Sequence, residues 1–148
     1  MYGELDTKQA NQLLGAEHIG RIGYHDGPHV TIVPVAYVYD GTAVYGYTRD
    51  GRKVQRMREN PSVCLQVDRI TDIGHWQSVV AWGTYQELHG DEADRAKRLI
   101  AGRLQPFLGG EPLELAHGRG SWGADAPIWR ESILYRIALS SVVGRYEQ

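Results

Sequence analysis

The chain has 148 residues, 42% hydrophobic and 23% charged, with a formal net charge of -2. That length suits one domain over 1–148 and lets a core form without disulfides. The balance of 16 basic and 18 acidic residues argues against a polyanion binder, so neither nucleic acid nor a membrane is expected as a partner. No apolar run reaches the roughly 18 residues of a membrane span. The first residues lack a charged-then-apolar leader pattern, and the single cysteine fits a reducing cytoplasm, the location expected here.

Asp6, Thr7 and Gln9 read as a helix start of the capping-box kind. The helix turns Ala10, Leu13 and Leu14 inward and stops near Gly15. A short strand follows over 18–23, and His25-Asp26-Gly27-Pro28 is turn chemistry. Residues 29–39 are rich in Val, Ile, Thr and Tyr and predict a strand. Asp40-Gly41 between that run and 42–48 predicts a hairpin. Residues 51–60 switch to helical composition, with Val54 and Met57 as the apolar pair, and Asn60-Pro61 ends the helix. Val63, Leu65 and Val67 alternate in a strand over 62–68. A long strand covers 76–88, bent at Gly83. Residues 91–104 form the clearest helix, with Ala93, Ala96, Leu99, Ile100 and Leu104 on one face and Asp91/Arg95 and Asp94/Arg98 as i, i+4 pairs. Residues 105–130 read as a long loop. Residues 131–138 and 141–145 close the chain as one bent strand or two. Hairpin-linked strands with few helices predict a mainly β fold, antiparallel and closed into a small barrel.

Several patterns carry chemistry, each beside a plainer reading. Gly118 to Gly123 matches GxGxxG, but no strand precedes it, so a dinucleotide fingerprint is not supported. The histidines lack metal-ligand spacing, and Cys64 in a strand reads as a small buried hydrophobe. In YGYTRDGRK, residues 45–53, a strand ends at Thr48, Gly51 makes a turn, and Arg52 and Lys53 open a helix. Backbone N–H groups at a helix start favour an anion, and two cations there oppose the helix dipole unless an anion lies between them. Spacing alone leaves this and a solvated basic face equally open. Pro34 marks an edge or a bulge, and a bulge would free backbone groups of Val33 and Val35. Trp76 offers a flat face, with Gln77 and Ser78 as polar neighbours. Trp82 reads as a core or interface aromatic.

Taken together, Val33-Pro34-Val35, YGYTRDGRK, ENPSVCLQVD at 59–68, WQSVVAWGTYQEL at 76–88, YRI at 135–137 and VVGR at 142–145 resemble the pyridoxamine 5'-phosphate oxidase-like split-barrel family. Its nitroimidazole-reductase-type branch is the most similar. The resemblance implies a six-stranded antiparallel split β-barrel and a homodimer with FMN at the interface. By similarity Arg52 and Lys53 hold the FMN phosphate with Thr48 and Ser78 assisting, and Tyr47 and Gly51 belong to the cofactor-binding set. Val33, Pro34 and Val35 line the ring, and Trp76 and Gln77 reach the cofactor from the same or the partner chain. Some members carry a histidine near the position of Gly46, which this chain lacks, so no catalytic residue is assigned. The expected activity is that of an FMN-dependent oxidoreductase acting on a small planar substrate. The alternatives are the same fold holding F420 or haem, or a flavin-binding sensor without catalysis.

Overall fold

Antiparallel pairing governs every strand of the computed structural model, which describes residues 1–107 and 129–148. In chain order the elements are β1 (Tyr2–Leu5), α1 (Thr7–Ala16), β2 (Ile19–Asp26), β3 (His29–Tyr39), β4 (Ala43–Arg49), α2 (Arg52–Glu59), β5 (Ser62–Asp72), β6 (His75–Glu87), α3 (Gly90–Leu104) and β7 (Ser132–Glu147). A 3-10 turn over Gln105–Phe107 follows α3. The rest of the 105–130 loop up to residue 128, with the GxGxxG motif, lies outside the described residues. No described helix is long and apolar enough to cross a membrane.

The seven strands run in the order β1-β7-β4-β3-β2-β5-β6, and β6 pairs back onto β7. Strands β2 to β7 therefore close into a ring of six, the split barrel that the sequence led us to expect. The long strand β7 makes the closure by changing neighbours. Its first half lies against β4 and its last residues against β1, while β6 follows its other side. The β6–β7 register shifts between Trp82 and Gly83, at the predicted bend. A Cβ at Gly83 would stand 2.4 Å from the Ala138 carbonyl oxygen, so the strands can cross this closely only at glycine. Strand β7 is one continuous element, which settles the choice between one closing strand and two.

The ring interior is filled by Ile22, Tyr37, Val44, Leu65, Val67 and Ile137, with Leu14 of α1 and Met57 of α2 joining the same cluster. Helix α1 begins with the predicted capping box: Asp6 accepts the Gln9 N–H at 2.8 Å and Gln9 accepts the Asp6 N–H at 2.9 Å. The Tyr37 hydroxyl donates to the Leu14 carbonyl at 2.6 Å and ties the helix to the ring. Helix α3 lies on the outer side of β3, β4 and β7, with Ala93, Ala96, Ile100 and Leu104 against Val38, Leu134 and Trp129. Its predicted i, i+4 pairs are not among the ion pairs of the described residues. Asp94 instead meets Lys97 at 3.5 Å, and Glu92 meets Arg136 of β7 at 3.2 Å. Strand β1 is an addition to the sequence reading: it is four residues long and pairs with positions 144–147, too far along the chain for local pattern to show.

Candidate functional site

Strand β4 delivers the chain to α2 through Asp50 and Gly51. Gly51 caps the helix without a side chain, so the first-turn N–H groups have no side-chain acceptor. Val54 and Met57 are fully buried and set the depth of the helix at the end of the ring. Lys53 lies four residues before Met57, on the flank of that buried face. It is half-buried, has no hydrogen-bond or ion-pair partner among the described residues, and burial pushes its ammonium below the usual lysine range.

The arginines of α2 are occupied. Arg52 and Arg56 both reach Oδ1 of Asp26, at 3.0 and 3.1 Å, and Arg56 also meets Glu59 at 3.1 Å. Arg58 is bound to Glu87 at 2.6 Å, and the Tyr85 hydroxyl donates to the same carboxylate at 3.0 Å. The cation–carboxylate contacts hold Asp26 and Glu87 below the usual carboxylate range, against the desolvation that would raise them. Among the described residues, the basic cluster of the sequence thus resolves into the paired arginines of α2, an exposed Arg49 with no ion pair and a half-buried Lys53 with no partner.

Thr48 and Tyr47 leave β4 on opposite faces, as neighbours in a strand must. Tyr47 packs edge-on against Trp129, with ring centroids 5.4 Å apart, in the layer under α3. Thr48 shares the inner side with Gly46. A Cβ at Gly46 would lie 2.4 Å from the hydroxyl oxygen of Tyr135, whose buried ring comes from β7. The space where a longer side chain at 46 would start is therefore filled from the neighbouring strand.

Pro34 lies where β3 has one strand neighbour. Strand β4 pairs with β3 over residues 37–39 alone. The β2–β3 register runs unbroken from Ile19↔Ala36 to Asp26↔His29, so there is an edge here and no bulge. The Tyr37 N–H donates to the His18 carbonyl at 3.0 Å. Hydrogen-bonded pairs alternate along an antiparallel ladder. Counting back in twos turns the backbone of Val33 and Val35 toward β2, and that of Ile32, Pro34 and Ala36 toward the open edge. Without a bulge, the free backbone groups it would have given Val33 and Val35 are not found. Their side chains pack against the ring core.

Trp76, Gln77 and Ser78 open β6 at the far end of β7. They pair with Glu147, Tyr146 and Arg145, whereas Thr48 pairs with Ile133. Positions 133 and 145 of β7 are separated by roughly 40 Å of strand contour. The structure thus divides the predicted residues into two groups. Thr48, Gly51, Arg52 and Lys53 form one. Pro34 and Ser78 belong to the other, joined across the sheet by Arg21, Gln66 and Asp68: Arg21 donates to Asp68 at 3.2 Å, and Gln66 donates to Asp68 at 2.9 Å and to Ser78 at 3.0 Å. Sequence reasoning missed these three linkers and Asp26. Asp26 sits in a stretch of turn chemistry, and nothing near it in the chain announces two arginines from positions 52 and 56.

The outer face of β3, β2, β5 and β6 is not covered by any described element at Ile19, Val30, Ile32 and Trp82, all of them exposed. On this face a cleft of about 360 Å³ is lined by His25, Val30, Cys64 and Trp82 among others, and by none of the predicted site residues. Trp82 is thus a surface aromatic and not a core one.

Comparison with known proteins adds the following. A family model described as pyridoxamine 5'-phosphate oxidase matches residues 6–117. An uncharacterized protein of Rhizobium meliloti (strain 1021) is 29% identical over 100 residues; the match covers 68% of this chain and 66% of that protein, just under two thirds of its length. The crystal structure of an FAD-binding protein from Mesorhizobium loti is similar with a TM-score of 0.74 and 24% identity, covering 100% of this chain and 99% of that one. A haem-binding protein from Mycobacterium smegmatis gives a TM-score of 0.65 at 12% identity, covering 90% of this chain and 50% of that one. At such identities the likeness to the two solved structures speaks for the fold.

Proposed function

The chain belongs to the pyridoxamine 5'-phosphate oxidase family, and from that premise we propose that it binds FMN between two copies of itself and acts as a flavin-dependent oxidoreductase on a small planar substrate. The observation that carries this reading is Lys53. A half-buried ammonium without a partner among the described residues, beside a helix start without a side-chain cap, is poised for an anion. A phosphate ester supplies that charge and accepts from the first-turn N–H groups and the Thr48 hydroxyl. Arg52 adds the part of its guanidinium that Asp26 does not use.

The ring of the flavin is assigned to the mouth of the barrel, where Val33 and Val35 supply apolar contact and the open edge of β3 supplies backbone polar groups. Trp76, Gln77 and Ser78 lie beside the last residues of β7, whereas Thr48 lies beside its start. They are assigned to the site of the second copy. The uncovered apolar face supports that assembly, because large apolar side chains standing together on a sheet face call for a cover. Tyr47 acts from behind, by packing β4 against Trp129. A bound flavin supplies the electron chemistry, and the chain holds the phosphate, seats the ring and excludes water. No side chain is assigned as a proton donor. A cytoplasmic location belongs to the same proposal.

An absorbance spectrum of the purified protein, followed by mass identification of any released cofactor, tests the reading. Flavin bands and the mass of FMN are expected. A colourless protein that takes up no added FMN overturns it. FAD is the second reading, favoured by the full-length likeness to the Mesorhizobium loti protein, and the released mass separates the two. Reduction of the bound flavin by NADH or NADPH separates an enzyme from a carrier.

A further inference from the structure

We propose that Asp26 is a positioning residue for the anion site at the start of α2: it clamps Arg52 and Arg56, fixes the helix against the β2–β3 hairpin, and leaves Lys53 as the cation that meets the anion. The clamp rests on the flavin reading for the identity of that anion alone.

Asp26 is the one charged side chain among the buried described residues, 9% exposed. A buried carboxylate stays ionised only when charged and polar donors surround it. Its Oδ1 accepts from Nε of Arg52 at 3.0 Å and Nε of Arg56 at 3.1 Å, and its Oδ2 accepts from the Thr31 hydroxyl at 3.1 Å. These donors come from α2 and from β3, while Asp26 itself ends β2. One carboxylate therefore joins three elements.

The clamp does what the apolar contacts cannot. Helix α2 has eight residues, too few to be stable by itself. Val54 and Met57 set its depth, and Arg58 ties its last turn to Glu87 of β6, which leaves the first turn to be held from the β2–β3 side. Arg52 and Arg56 are one turn apart on an adjoining flank, and anchoring both to one atom holds it there. The setting of the first turn decides where Lys53 points. Glu59 holds only Arg56, so without the Asp26 charge Arg52 has no carboxylate partner among the described residues.

Asp26→Asn keeps the size and removes the charge. Binding is followed by the amide NMR shifts of Arg52 and Lys53 during titration with inorganic phosphate, and by fluorescence titration with FMN and with riboflavin. In Asp26→Asn, phosphate and FMN are expected to bind about five- to tenfold more weakly, and riboflavin within about twofold of the parent. A variant that binds phosphate as tightly or more tightly overturns the clamp; tighter binding means that Asp26 merely holds Arg52 away from the anion. Equal losses for FMN and riboflavin also overturn it, since a purely structural defect moves both. If Asp26→Asn does not fold, Arg56→Gln removes one arm and leaves Asp26 paired with Arg52; a two- to threefold loss of phosphate binding, roughly, is expected, and no loss overturns the proposal. A parent protein that binds phosphate at Lys53 but no flavin overturns the flavin reading and leaves the clamp standing. A parent protein with no phosphate response at α2 overturns the clamp.

Discussion

The two outer faces of the ring follow the same strand alternation and differ in what lies over them. Over β3, β4 and β7, α3 and Trp129 bury Val38 and Leu134. Over β3, β2, β5 and β6, Ile19, Val30, Ile32 and Trp82 remain 65%, 67%, 67% and 44% exposed, with no described element above them. The difference teaches that alternation decides which side chains leave a sheet and not whether they find a cover. One face is finished by the chain itself. The other is left, in the proposed assembly, for a second copy.

The covered face gives the largest expected effect. Ile100 is fully buried between α3 and the sheet. Ile100→Ala is expected to cost about 2–5 kcal/mol of unfolding free energy in urea titration, the range for large-to-small changes in a core. The same change at Ile32 is expected to alter monomer stability by less than about 0.5 kcal/mol, as at ordinary surface positions. Equal losses at the two positions, measured at concentrations where the protein is monomeric, would end the contrast between the faces.

The uncovered face gives the next effect. Ile32→Glu sets a charge where the second copy is proposed to sit, in the same cross-strand row as Trp82. It is expected to weaken self-association by at least about tenfold, as loss of a central apolar contact does, while far-UV circular dichroism stays unchanged. Sedimentation velocity across a concentration series reads the outcome. A parent protein that is monomeric at every concentration would assign this face to another partner.

What local pattern could reveal and what it could not divide along the same line. The capping box at Asp6 and Gln9, the hairpin at Asp40 and Gly41, the bend at Gly83 and the α3 face all depend on neighbours within a few residues, and all are found. At Asp40, for example, the carboxylate gathers the Thr42 and Ala43 N–H groups, each at 2.8 Å, which is local chemistry visible in the chain. Strand β1, the Asp26 clamp and the Arg21–Asp68–Gln66–Ser78 linkage join residues tens of positions apart. At Pro34 the sequence left an edge and a bulge both open for a related reason, and the structure shows the edge. A proline announces that a ladder bond is missing, but whether it sits at an edge depends on where β4 stops pairing with β3.

At the α2 end the contrast lies between neighbouring cations. Lys53→Ala is expected to weaken FMN binding by about tenfold or more, the loss of one charge-assisted contact to phosphate. Arg58→Ala is expected to change it by less than about twofold, because Arg58 already spends its charge on Glu87 at 2.6 Å and lies well over a turn beyond the helix start. Flavin fluorescence titration of both variants reads the difference. Equal affinities would remove Lys53 from the phosphate site.

The smallest effect is one of sign. Burial lowers the Lys53 pKa, and no carboxylate among the described residues offsets it. The unfolded chain therefore holds this proton more tightly than the folded one. Between the depressed folded value and the unfolded value, about 10.4 for lysine, stability from this group rises with pH; below the folded value the strain of a half-buried charge is fully present. Removing the charge should then help the ligand-free protein. Lys53→Met keeps the stem and is expected to raise the melting temperature at neutral pH by roughly 1–2 °C. Saturating phosphate should reverse the order, because the anion stabilises only the parent. A melting temperature that falls in Lys53→Met without phosphate would show that Lys53 already has its partner. Lys53 would then no longer match the uncovered face as a feature that one chain leaves incomplete.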